Sequence, residues 1–176
     1  TLDDWQETLE KVTALDIQHI SAYSLIVEEG TPFMKMYEEG RLNLPDEETD
    51  RKMYCLANEI LKDKGFERYE ISNYAKKGYE SRHNTKYWDC GEYLGIGPSA
   101  HSFIDGKRFL YERDISSFIN GEKAVYDTTG GDTDEYIMLR LRLSDGIVFK
   151  DYQNRFGEVF PSETIKKALA FEKQGP

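Results

Sequence analysis

The chain has 176 residues, 39% of them hydrophobic, with 23 basic against 33 acidic side chains for a net charge of −10. That length suits one domain or a domain and a half, and the acidic balance excludes nucleic acid or an anionic membrane surface as the expected main partner, since both are held by clustered Lys and Arg. No run approaches the roughly 18 apolar residues of a transmembrane span, no basic-then-apolar leader opens the chain, and Cys55 and Cys90 stand outside CxxC spacing, so a cytoplasmic protein without a disulfide framework is expected.

Leu2, Trp5, Leu9, Val12 and Leu15 recur every three or four residues and predict a helix, capped by Thr1, with Asp3 and Asp4 at its positive end. Residues 19–27 follow as a strand: short, β-branched, aromatic and nearly uncharged, as in a parallel sheet covered on both faces. Glu28-Glu29-Gly30-Thr31-Pro32 breaks it. A second helix opens at Pro45-Asp46-Glu47-Glu48, buries Met53, Leu56, Ala57, Ile60 and Leu61, and closes at Gly65. Residues 66–71 form the next strand. Helix–strand–helix–strand with short joints predicts parallel β/α units, part of an open α/β sheet or barrel. From residue 76 to 112 the chain gathers Gly, His and aromatic residues without helical periodicity, and Asp105-Gly106 marks a hairpin. Three helices follow residue 130: one behind the capping-box spacing of Asp132 and Glu135, one over 149–156 closed by Gly157, and one over 162–173 begun by Pro161-Ser162. They suit a small α-helical, helix-turn-helix-like domain. The expected division is residues 1–112 against 113–176.

Gly95-Ile96-Gly97-Pro98-Ser99-Ala100 satisfies the G-x-G-x-x-[GA] dinucleotide pattern. That fingerprint follows a strand and opens a helix, so that helix amides meet the pyrophosphate. A hairpin follows here, which leaves a turn whose glycines let the backbone approach something closely. The densest chemical cluster is 81–88, where His83, Asn84, Tyr87 and Trp88 place an imidazole, an amide, a phenol and an indole within six positions. Two readings stand: aromatics plugging the bottom of a sheet around a hydrogen-bonded His83, or a site for a flat, anionic or metal-bearing ligand. His83, Cys90 and His101 match no standard zinc spacing. The paired carboxylates read as solvated turns and helix starts, and neither a nucleophile elbow nor a Walker loop occurs.

Six strings occur together in one order: His-Ile-Ser-Ala-Tyr-Ser-Leu from His19, Glu-Gly-Thr-Pro-Phe from Glu29, Tyr-Glu-Ile-Ser-Asn-Tyr-Ala from Tyr69, Arg82-His83-Asn84-x-x-Tyr87-Trp88, Tyr93-Leu94-Gly95-Ile96-Gly97-x-x-Ala100-His101-Ser102, and Leu141-Arg142-Leu143-x-x-Gly146-Ile147. With them the chain resembles the oxygen-independent coproporphyrinogen III oxidase-like radical S-adenosylmethionine proteins, and specifically their haem-chaperone branch. The resemblance implies an α/β fold, the C-terminal part of a partial (β/α) barrel followed by the start of a helical domain. It also implies S-adenosylmethionine and a [4Fe–4S] cluster held by a CxxxCxxC loop near the family's N-terminus. This sequence begins at Thr1 and has no such triplet, so it reads as a fragment without that loop, inactive alone. By position, Ile26 and His101 match S-adenosylmethionine contacts, and His83, Asn84, Tyr87 and Trp88 are the candidate haem or porphyrin contacts. No residue is assigned a catalytic or metal-ligating role. The expected function is haem binding and delivery to acceptor proteins. The alternatives are oxidative decarboxylation of coproporphyrinogen propionates to vinyls, and a non-enzymatic interaction module.

Overall fold

In the computed structural model, which describes residues 1–173, the chain divides into two units, Thr1–Ser81 and the part from Arg82 onward. The first begins with α1 (Leu2–Thr13), where the Thr1 hydroxyl accepts from the Asp4 amide and the Asp4 carboxylate bonds back to Thr1. A helix absent from the sequence reading follows. Thr31 caps α2 (Pro32–Glu38) by accepting from Met34 N, and Pro32 loses nothing at a position whose N–H has no helical partner. Asp46 caps α3 (Glu47–Asp63), its Oδ1 taking the Thr49 amide at 2.8 Å. The core of this unit joins Leu9 of α1 with Ala57 and Leu61 of α3, Ile20, Phe66 and Tyr74, and Trp5 Nε1 donates to Met53 O at 2.9 Å.

The sheet corrects the strand reading. In the first unit His19–Ser21 (β1), Glu67–Arg68 (β2) and Asn73–Ala75 (β3) pair, in the order β1-β3-β2, and both pairings are antiparallel. The cause lies in residues 69–73. Tyr69 N donates to Asn73 O, and the buried Glu70 accepts the Ser72 amide at 2.7 Å and Asn73 Nδ2 at 2.6 Å. The chain therefore reverses at once and β3 inserts between β1 and β2. Those two strands still share a direction, as a β/α succession requires. After Ala22, whose amide donates to Ser72 O, the chain leaves the ladder, and Tyr23, Leu25 and Ile26 are exposed.

The second unit opens with α4 (Arg82–Trp88), a helix where the sequence suggested a loop. β4 (His101–Ile104) and β5 (Lys107–Leu110) form the expected hairpin; Asp105 and Gly106 have φ of 49° and 69°, the two positive values that a type I′ turn needs. Two elements missed in the sequence, α5 (Ile115–Ile119) and β6 (Val125–Thr129), continue from it, β6 pairing antiparallel with β5. Then come α6 (Thr133–Arg140), α7 (Phe149–Phe156) and α8 (Ser162–Glu172). The core of this unit holds Cys90, Phe103, Tyr136, Tyr152 and Phe160, so the aromatic segment and the hairpin pack with the terminal helices. No helix among the described residues is long and apolar enough to cross a membrane.

Candidate functional site

Residues four apart share a helix face, so α4 sorts the cluster. His83 and Tyr87 lie on one face, Asn84 and Trp88 on the next, and Arg82 and Lys86 on the other flank. His83 is exposed. Its Nε2 is hydrogen-bonded to the Tyr87 hydroxyl at 3.0 Å, and the two rings meet edge to face at 4.9 Å. Tyr87 meets Tyr93 in the same way at 4.5 Å, and Tyr93 tilts against the buried Phe103 at 6.4 Å. A ladder of rings thus runs from a solvent-facing imidazole down to the core.

Trp88 faces another neighbour. The Arg142 guanidinium lies 4.2 Å over its ring, a cation–π contact that covers one indole face. Further arginines hold the helix end. Arg140 bonds the Asp89 carboxylate and donates to Gly146 O from Nε at 3.0 Å and Nη2 at 2.7 Å. Arg155 Nη2 donates to Cys90 O at 2.8 Å. Cys90 itself turns the chain out of the helix with φ 52°. It is buried, and burial pushes its thiol pKa up, which leaves a protonated, poorly nucleophilic sulfur.

The glycine turn approaches its own strand. Tyr93 and Phe103 exchange two backbone hydrogen bonds at 2.9 Å, and Gly95 N donates to Ser102 Oγ at 3.0 Å. A Cβ on Gly95 would lie 2.1 Å from His101 O, so the close partner of this glycine is the β4 backbone; a Cβ on Gly97 would meet nothing within 4 Å, and Gly97 serves the turn through its φ of 116°. His101 begins β4 with its side chain exposed. Ile26, 77% exposed, lies in the first unit.

Of the predicted contacts, then, His83 and Tyr87 stand together, Trp88 is engaged by Arg142, and Ile26 and His101 lie in separate units. Sequence reasoning missed the supporting Arg140, Arg142 and Arg155; the i,i+4 pairs His83/Tyr87 and Asn84/Trp88 were the available sign of a helix. No group of three His, Cys, Asp or Glu able to hold a metal occurs among the described residues. With two cysteines, one exposed on α3 and one buried, the chain does not offer the three thiolates of a cluster loop.

No protein-family model matches the chain. In fold it is similar to coproporphyrinogen III oxidase (HemN) from Escherichia coli, a radical SAM enzyme, with a TM-score of 0.70 over 99% of this chain and 45% of that one at 14% identity. The chain therefore shares the fold of that part of the enzyme. Sequence sharpens the placement. The chain is 35% identical over 182 residues to the Heme chaperone HemW of Bacillus subtilis, covering 97% of this chain and 48% of the relative. It is 32% identical over 162 residues to that of Lactococcus lactis, covering 89% and 43%. It is 41% identical over 100 residues to the mitochondrial radical S-adenosyl methionine domain-containing protein 1 of Mus musculus, covering 57% and 23%. Its homologues are thus radical SAM proteins, and among them the HemW haem chaperones. The chain spans about half the length of the HemW relatives that it matches.

Proposed function

We propose that this chain is part of a haem chaperone of the HemW type and that α4 carries its haem contact. The observation behind this reading is the exposed His83, held by Tyr87 and backed by the Tyr93–Phe103 ring ladder, in a chain homologous to HemW proteins. Imidazole is the commonest side-chain ligand for haem iron. In the tautomer where the Tyr87 hydroxyl donates to Nε2, it holds the lone pair that iron would take, so cargo binding exchanges that hydrogen bond for a metal bond. The neighbouring rings offer flat apolar surface to a macrocycle. Asn84 and Trp88 complete the contact set from the adjoining face, with Trp88 and Arg142 chiefly holding the helix in place.

S-adenosylmethionine belongs to the same proposal through two candidates taken separately by the sequence resemblance: Ile26 of the first unit, which offers apolar contact, and His101 of the second, whose imidazole offers a hydrogen-bonding group. When bound with a cluster, S-adenosylmethionine supplies radical chemistry in proteins of this type; the two cysteines of this sequence do not supply the three thiolates of such a cluster. The haem reading is tested by titrating hemin into the full-length protein and its His83→Ala variant. The variant is expected to bind more weakly with a displaced Soret band. An unchanged band and affinity would remove His83 from the site.

A further inference from the structure

We propose that Arg82 and Lys86 form a carboxylate-binding edge beside His83 and Tyr87, so that the α4 site selects a metal-bearing flat ring with free carboxylates on its rim. This rests on the haem reading of α4 and adds to it which chemical feature of the cargo is recognised, and by which side chains. At about 100° per residue, Arg82 and Lys86 fall one turn apart on the flank of the His83/Tyr87 face, and Lys86 is the i+3 neighbour of His83. Both side chains are exposed, and neither forms an ion pair among the described residues. Three other arginines of the same unit are committed otherwise: Arg108 to Glu135, Arg140 to Asp89 and Arg155 to Cys90 O.

The local charge supports the same conclusion. The chain carries −10 overall, yet residues 81–88 contain Arg82, His83 and Lys86 with no Asp or Glu. Of the acidic residues that flank this stretch, Asp89 is tied to Arg140, and Glu80 accepts the Gly78 amide at 3.1 Å. A second detail concerns Lys86. A Cβ on Gly91 would meet its Cγ at 3.1 Å, so the missing side chain at Gly91 makes room for the Lys86 stem beside the helix end. Two uncommitted cations next to a candidate iron ligand fit an anionic cargo, since charge-assisted hydrogen bonds to carboxylate are the strong kind.

The test uses the full-length protein with two probes, hemin and hemin dimethyl ester, which differ only in the free propionates. The Arg82→Gln/Lys86→Gln double variant should bind hemin about tenfold more weakly, roughly the worth of one charge-assisted hydrogen bond, and bind the ester as the parent does. Unchanged hemin affinity in the double variant would overturn the proposal, as would an equal loss for both probes. His83→Ala separates this from the haem reading. If it binds both probes as the parent does, the ligation reading fails; if it loses both while the double variant loses neither, only the carboxylate edge fails.

Discussion

Gly95 shows how one absent side chain sets the loop beside the candidate site. A Cβ there would meet the His101 carbonyl oxygen at 2.1 Å and the Ala100 Cβ at 3.1 Å, and the backbone oxygen is fixed by the β4 ladder. Gly95→Ala is predicted to destabilise the protein by about 1–3 kcal/mol, the usual cost of overpacking, read as a lower urea midpoint at unchanged slope. Tyr74 makes a different residue-scale prediction. Its ring is buried, its hydroxyl donates to Asn58 Oδ1 at 3.1 Å, and burial pushes its pKa from 10.0 up to about 12. The unfolded chain releases this proton near pH ~10 while the folded chain keeps it to about pH 12. Its contribution is therefore complete below the first pH and lost as pH rises to the second. Urea midpoints between those values should fall less steeply for Tyr74→Phe than for the parent; parallel curves would contradict the assignment.

Among the elements, those whose chemistry is written locally were legible. Thr1 with Asp4, Asp46 before α3, Asp132 before α6, Gly157 after α7 and the Asp105-Gly106 turn all act within a few residues of where they stand in the sequence. Pairing was not legible, because it depends on distant partners. The uncharged run after His19 suggested a long buried strand, but the Glu70–Asn73 reversal leaves only three residues of it in the ladder. The short α2, α4 and α5 lack the apolar stripe on which periodicity depends. At the site, composition pointed to His83 and Tyr87. The arginines that hold α4 come from 51 and 65 positions away, and no local pattern announces them. α4 also makes a signed prediction. Tyr87→Phe keeps the ring ladder but frees His83 Nε2 from its hydroxyl partner. Hemin should bind the full-length variant more tightly, by up to about tenfold for the loss of a competing hydrogen bond worth ~0.5–1.5 kcal/mol. Weaker binding would place the hydroxyl among the cargo contacts instead.

At the scale of the whole molecule, each unit has its own hydrophobic core among the described residues; Ile26 belongs to the first unit, and His83 and His101 belong to the second. The apolar Tyr23, Leu25 and Ile26 are exposed on the first unit. In an acidic molecule, the cationic α4 is where the proposal places an anionic small-molecule cargo. Because the chain spans about half of its HemW relatives, tests of haem handling belong on the full-length protein. The most direct is chemical rescue: hemin is added to the full-length His83→Gly variant with and without free imidazole, and the Soret spectrum is recorded. If His83 ligates the iron, the variant's altered spectrum returns to that of the parent when imidazole fills the vacated position. A variant that shows the parent's spectrum and affinity without imidazole would contradict the account.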